Sequence, residues 1–151
     1  MRREISGRIK NLIIKEMQPY GLEPFGIGGA ELHGMITGIE LVFNIDQLLD
    51  IESARKILVE ATEKAIQIAS SQKESSDFFT EIPVPKEIFS IGILGPEPEI
   101  NDGKHIEAAR CSGGKLVYNI TNPDPRWDNY IHVHEETFEE ARAIVRGGKP
   151  S

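Results

Sequence analysis

The chain has 151 residues, 39% hydrophobic and 27% charged, with one cysteine and a formal net charge of −7. That length fits one ordinary domain, that balance excludes wholesale disorder, and a lone cysteine excludes an internal disulfide. The negative charge argues against general nucleic-acid binding. No apolar run approaches the ~18 residues that would mark a membrane-spanning helix.

Residues 3–18 read as a helix with Ile5, Ile9, Leu12, Ile13 and Met17 near one side, stopped by Pro19 and Gly21. This leading segment is basic. Arg2, Arg3, Arg8, Lys10 and Lys15 against Glu4 and Glu16 give residues 1–20 a charge of +3, leaving −10 for the rest. Such a helix could touch an anionic surface, or simply be a solvated face. The longest apolar run there is Leu12–Ile14, short of the roughly 7–15 residues of a secretory signal, so a cytoplasmic location is the expectation, or export if the natural gene is longer or uses another signal.

Gly26, Gly28, Gly29, Gly34 and Gly38 follow, and read as a flexible or tightly turned loop. The run Gly26-Ile27-Gly28-Gly29-Ala30-Glu31 is neither a dinucleotide fingerprint nor a P-loop. A strand comes next, with Ile39, Leu41, Phe43 and Ile45 on one face. Then a long helix runs to Gln72. Its stripe of Ile51, Ala54, Leu58, Ala61, Ala65 and Ile68 keeps to one side. Asp50 is the expected N-cap.

Residues 70–76 read as a loop. Residues 88–94 read as a strand with Phe89, Ile91 and Ile93 on one face. His105–Cys111 and Lys115–Thr121 form a hairpin about Gly113-Gly114, a pair suited to a type I′ turn. That register puts Cys111 opposite Leu116 and Ala109 opposite Tyr118, making Cys111 a buried, inert thiol. Tyr130–His134 reads as a short strand. Thr137 opens a last helix with a capping box to Glu140, ending at Gly147-Gly148.

The expected fold is α+β: a mainly antiparallel sheet of four to five strands, one long amphipathic helix on one face, and short helices at both ends. Residues 1–20 form the leading helix, 21–147 a single α+β domain and 148–151 a tail.

Three passages carry a family resemblance: Gly26–Gly29, Ile51–Val59 and Glu135–Ala141. Over residues 21–146 the chain resembles a family of small uncharacterised proteins of intracellular bacteria, often exported. The resemblance implies no activity. The chain departs from it in lacking an export signal and in the sparse aromatics of Ser76–Val84.

Three candidate sites emerge. On one strand, His132, His134 and Glu136 would point the same way and could ligate a metal, with His105 as a remote fourth ligand. Arg126, Trp127 and Tyr130 could form a protein-binding patch, since aromatics and Arg favour interface cores. Arg55 at a helix N-terminus calls for an acidic partner, with Glu135 or Glu136 the densest source and a local pair with Glu52 or a free surface Arg the equal alternative.

No residues assemble into a recognisable catalytic constellation, and no cofactor is expected. The leading expectation is a non-enzymatic module that binds another protein, and a homo-oligomer is compatible with it. The alternatives are a metal-dependent protein and a peripheral membrane-surface protein.

Overall fold

The computed structural model describes residues 2–97, 104–121 and 130–147. The elements are α1 (Arg2–Met17), β1 (Leu22–Leu32), β2 (Met35–Ile45), β3 (Leu49–Asp50), α2 (Ile51–Ser71), α3 (Ser75–Phe78), β4 (Phe89–Leu94), β5 (His105–Ile106), β6 (Ala108–Ser112), β7 (Lys115–Thr121), β8 (Tyr130–Thr137) and α4 (Phe138–Val145). Among the described residues none of the helices is long and apolar enough to cross a membrane.

Six strands form one sheet in the order β1-β2-β4-β6-β7-β8, and β3 pairs with β5 in a small second sheet. Every neighbouring pair of the large sheet is antiparallel except β2 and β4, which run parallel. The α+β class holds. The expected sheet of four to five mainly antiparallel strands is corrected to a mixed sheet of six.

Two features caused the difference. The glycine-rich segment is a strand rather than a loop. Its low intrinsic β-propensity is overridden by pairing along the whole of β2, from Leu22 opposite Ile45 to Leu32 opposite Met35. The turn is two residues, His33 and Gly34, both at positive φ (52° and 81°). Second, parallel strands cannot be joined by a hairpin, so the chain crosses over through α2 between β2 and β4.

Other bounds move by a few residues. The strand read from His105 breaks at Glu107 into β5 and β6, and β8 runs on to Thr137. Residues 75–78 form one helical turn, α3, which takes in the end of the loop expected over 70–76.

The hairpin of β6 and β7 has the expected register, with Cys111 opposite Leu116 and Ala109 opposite Tyr118. Gly113 and Gly114 sit at φ 60° and 79°, as a type I′ turn requires. Asp50 caps α2 through a 2.7 Å bond from the Ser53 amide, and Thr137 caps α4 through a 3.1 Å bond from the Glu140 amide. The Ser53 bonds hold the Asp50 carboxyl below its usual pKa.

The core lies on one face. Leu41, Phe43, Ile91 and Ile93 of the sheet are fully buried together with Ala54, Leu58, Ala61 and Ala65 of α2. Ile5, Ile9, Ile13 and Met17 of α1 join the same cluster. The opposite face carries exposed Glu40, Asn44, Arg110 and Glu135, the alternation of a sheet with one solvated side. Ion pairs of both senses tie α1 to the rest of the chain. Arg8 pairs with Glu74 at 2.8 Å, and Glu16 with Lys64 at 3.6 Å.

Leu58→Ala should cost about 2–5 kcal/mol in chemical denaturation, the usual range for truncating a core leucine. A loss near zero would mean that α2 does not seal the sheet.

Candidate functional site: a buried polar cluster and an open strand edge

Arg55 lies in the second turn of α2, and Glu136 near the end of β8. Their side chains are 13% and 5% exposed, and Arg55 Nε donates to Glu136 Oε2 at 2.8 Å. The Tyr118 hydroxyl donates to the same oxygen at 2.5 Å. Leu116 of β7 is the register partner of Glu136, and Tyr118 stands next along that face. A carboxylate taken this far from water needs paired, hydrogen-bonded neighbours, and these two supply them. Of the two glutamates the sequence offers to Arg55, the structure selects Glu136. Glu135 is on the exposed face, 3.6 Å from Lys115.

Burial first, then the bond to Glu136, raises the Tyr118 pKa above its ordinary value. For Arg55, burial works against the charge, but the hydrogen bond and charge of Glu136 outweigh it and raise its pKa. His134 stacks on Tyr118 with ring centroids 5.6 Å apart. Its Nε2 is 3.8 Å from Glu136 Oε1, beyond a direct hydrogen bond.

Of the three sequence-selected metal ligands, the side chains of His134 and Glu136 are described and that of His132 is not. A register shift falls between His134, opposite Tyr118, and His132, opposite Asn119. Strict period-two alternation of the backbone is interrupted at this bulge. Glu136 is already engaged by Arg55 and Tyr118. Among the described residues, no group of three or more His, Cys, Asp or Glu side chains is placed to hold a metal ion. Of the proposed binding patch, Arg126 and Trp127 lie outside the described residues, and Tyr130 is described only as the first residue of β8. Cys111 is buried, and burial raises its thiol pKa, the opposite of what a nucleophile needs.

The second feature is at the far side of the sheet. β1 is an outer strand, and among the described residues only β2 pairs with it. Phe25, Ile27 and Leu32 on this strand are 66%, 56% and 60% exposed. Beside it, between α1 and the β1–β2 hairpin, runs a groove of about 500 Å³, lined by Ser6, Lys10 and Asn11 on one side and Ile27, Gly29 and Ile36 on the other. Gly29 is its floor. A β-carbon there would stand 2.9 Å from the Gly38 carbonyl oxygen and 3.3 Å from the Lys10 ammonium nitrogen, so the close approach admits only glycine. A smaller cleft of about 290 Å³ opens beside Arg55 at the start of α2. Its charges, Asp50 and Glu52 against Arg55 and Lys56, balance and favour neither sign of ion.

No protein-family model, curated protein or solved structure matches the chain.

Phe25, Ile27 and Leu32 are hidden in the sequence because glycines surround them and mask the strand pattern. The signal available was Leu32-His33-Gly34-Met35, a turn-forming pair between apolar residues, which marks a hairpin.

Two measurements test the polar cluster. Arg55→Ala should cost about 3–5 kcal/mol, because Glu136 is left charged and buried, and Glu136→Ala should cost less, because Arg55 is only partly buried. The double variant should recover a large part of that loss, and additive losses would mean the pair is uncoupled. The tyrosines supply the second test. Tyr20, raised to about 12 by burial and by its bond to Glu60, and Tyr118 both favour the neutral phenol in the folded chain. Their contribution to stability is complete below the unfolded pKa of ~10 and is lost as pH rises through the folded values. Phenolate absorbance of folded protein just above pH ~10 should therefore report at most one of the three tyrosines. Three titrating together would contradict it.

Proposed function

We propose that this chain is a non-enzymatic protein-binding module that accepts an extended polypeptide segment as an added strand on β1. The observation that carries this reading is the exposure of Phe25, Ile27 and Leu32 along an outer strand. An outer strand presents a row of backbone donors and acceptors, which a second strand satisfies through main-chain bonds while side-chain pockets add specificity. Long exposed apolar edges are normally shortened, charged or covered. β1 is eleven residues long, and its glutamates, Pro24 and both irregularities fall outside the stretch Gly26–Ala30, which has no charge and no proline.

The groups most suited to chemistry are engaged elsewhere. Glu136 is held by Arg55 and Tyr118, and Cys111 is buried with a raised pKa. The membrane-surface alternative would need a free apolar face on α1, and Ile5, Ile9, Ile13 and Met17 are spent on the core.

Panning a random displayed-peptide library against the protein should enrich extended, alternating apolar sequences. Their binding should perturb the amide resonances of β1 and weaken by roughly tenfold or more in Ile27→Lys, since an apolar contact is replaced by a charge. Peptides that bind equally well to Ile27→Lys, or that leave β1 unperturbed, would overturn the reading.

A further inference from the structure

We infer that the strand taken up by β1 is β1 of a second copy of this chain, paired antiparallel about a two-fold axis through Gly28. The inference rests on the strand-addition reading and names its partner.

Two irregularities interrupt the pairing of β1 with β2. Between Pro24 and Gly26 the extra residue, Phe25, belongs to β1. Between Ala30 and Glu31 the extra residue belongs to β2. From Gly26 to Ala30 both strands are regular. This stretch of β1, Gly-Ile-Gly-Gly-Ala, is nearly bare backbone, with one large side chain, Ile27. A neighbouring strand can approach it without obstruction.

A two-fold interface must be self-complementary, because the same patch is used by both copies. Residues directly opposite each other in an antiparallel pair share a face. With the axis on Gly28, Ile27 of each copy falls opposite Gly29 of the other. Ile27 is the exposed knob, and Gly29 is the floor of the groove beside α1. Each copy therefore offers one apolar knob and, opposite it, one residue without a side chain beside the groove, on the same face and at the spacing the two-fold requires. Moving the axis to Ile27 would set the two knobs against each other and leave both Gly29 floors without Ile27. Moving it to Gly29 would set Ile27 against Glu31, whereas the Gly28 axis brings to Glu31 only Phe25, the bulged residue outside the regular stretch. The groove also contains both Lys10 and Glu31, so each copy brings one cation and one carboxylate to the seam rather than a net charge. The pairing would join two six-stranded sheets into one and satisfy both outer edges at once.

Sedimentation and disulfide trapping test this together. Wild-type protein should sediment at twice the chain mass and Ile27→Lys at the chain mass. Ile27 is more than half exposed, so the folded monomer should survive that change. Gly28→Cys should cross-link to itself under mild oxidation, because opposed α-carbons about 4.5–5.5 Å apart lie within disulfide range. The added β-carbon meets only the flexible Glu40 side chain, at 3.4 Å, and the native Cys111 is buried. Ile131→Cys, on the opposite edge strand β8, should remain reduced.

A wild-type monomer at every concentration would overturn the self-pairing. So would a dimer that persists in Ile27→Lys, or one trapped by Ile131→Cys in preference to Gly28→Cys. If the wild type is monomeric yet still takes displayed peptides on β1, the self-pairing fails while strand addition stands. If peptide binding ignores Ile27→Lys, strand addition itself fails.

Discussion

The parallel pairing of β2 with β4 is the constraint on which the rest of this architecture depends. Parallel neighbours need a crossover, and here α2 fills it, lying on one face of the sheet with its alanine-rich stripe against Leu41, Phe43 and Ile91. Once β4 takes one side of β2, the hairpin partner β1 can occupy only the other side and becomes the outer strand. α1 then packs on the same face over β1 and β2, and the groove lies between them. The other half of the sheet grows from β4 by antiparallel steps to β8, which carries Glu136 to Arg55 on α2. One crossover thus determines both the polar cluster and the open edge.

These two sites have opposite physical characters. At the Arg55–Glu136–Tyr118 cluster the polar groups are buried and bonded to one another, and any partner removed leaves another uncompensated. The cluster ties the C-terminal strand and helix to α2, a structural role. A further tie runs from Lys86 to Glu139 at the start of α4, 3.0 Å apart. At β1 apolar side chains face outward, and among the described residues only β2 pairs with the strand. This contrast is why the proposed activity belongs to the edge.

Much of the fold is legible in the residues themselves. The stripe of α2, the caps at Asp50 and Thr137 and the register of β6 with β7 each follow from local spacing and turn chemistry, which packing reinforces here. Arg55 was legible in part. Dipole reasoning asks for an acidic partner, but only the face that each residue of β8 presents distinguishes Glu136 from Glu135. β1 was not legible as a strand, because Gly26, Gly28 and Gly29 lower its local propensity and pairing with β2 restores it. The parallel joint was hidden because strand order is a long-range property. The bulge opposite Tyr118 and Asn119 is likewise invisible to a rule of strict alternation.

The central claim is that β1 is open in the monomer and closed by a second strand. Amide hydrogen exchange across Gly26–Ala30, followed as a function of protein concentration, tests it most directly. The account predicts that amides in this stretch pointing away from β2 exchange freely in dilute protein and become protected as concentration rises, while β2 amides stay protected throughout. Protection along β1 that is complete in dilute protein, or that never changes with concentration, would contradict it.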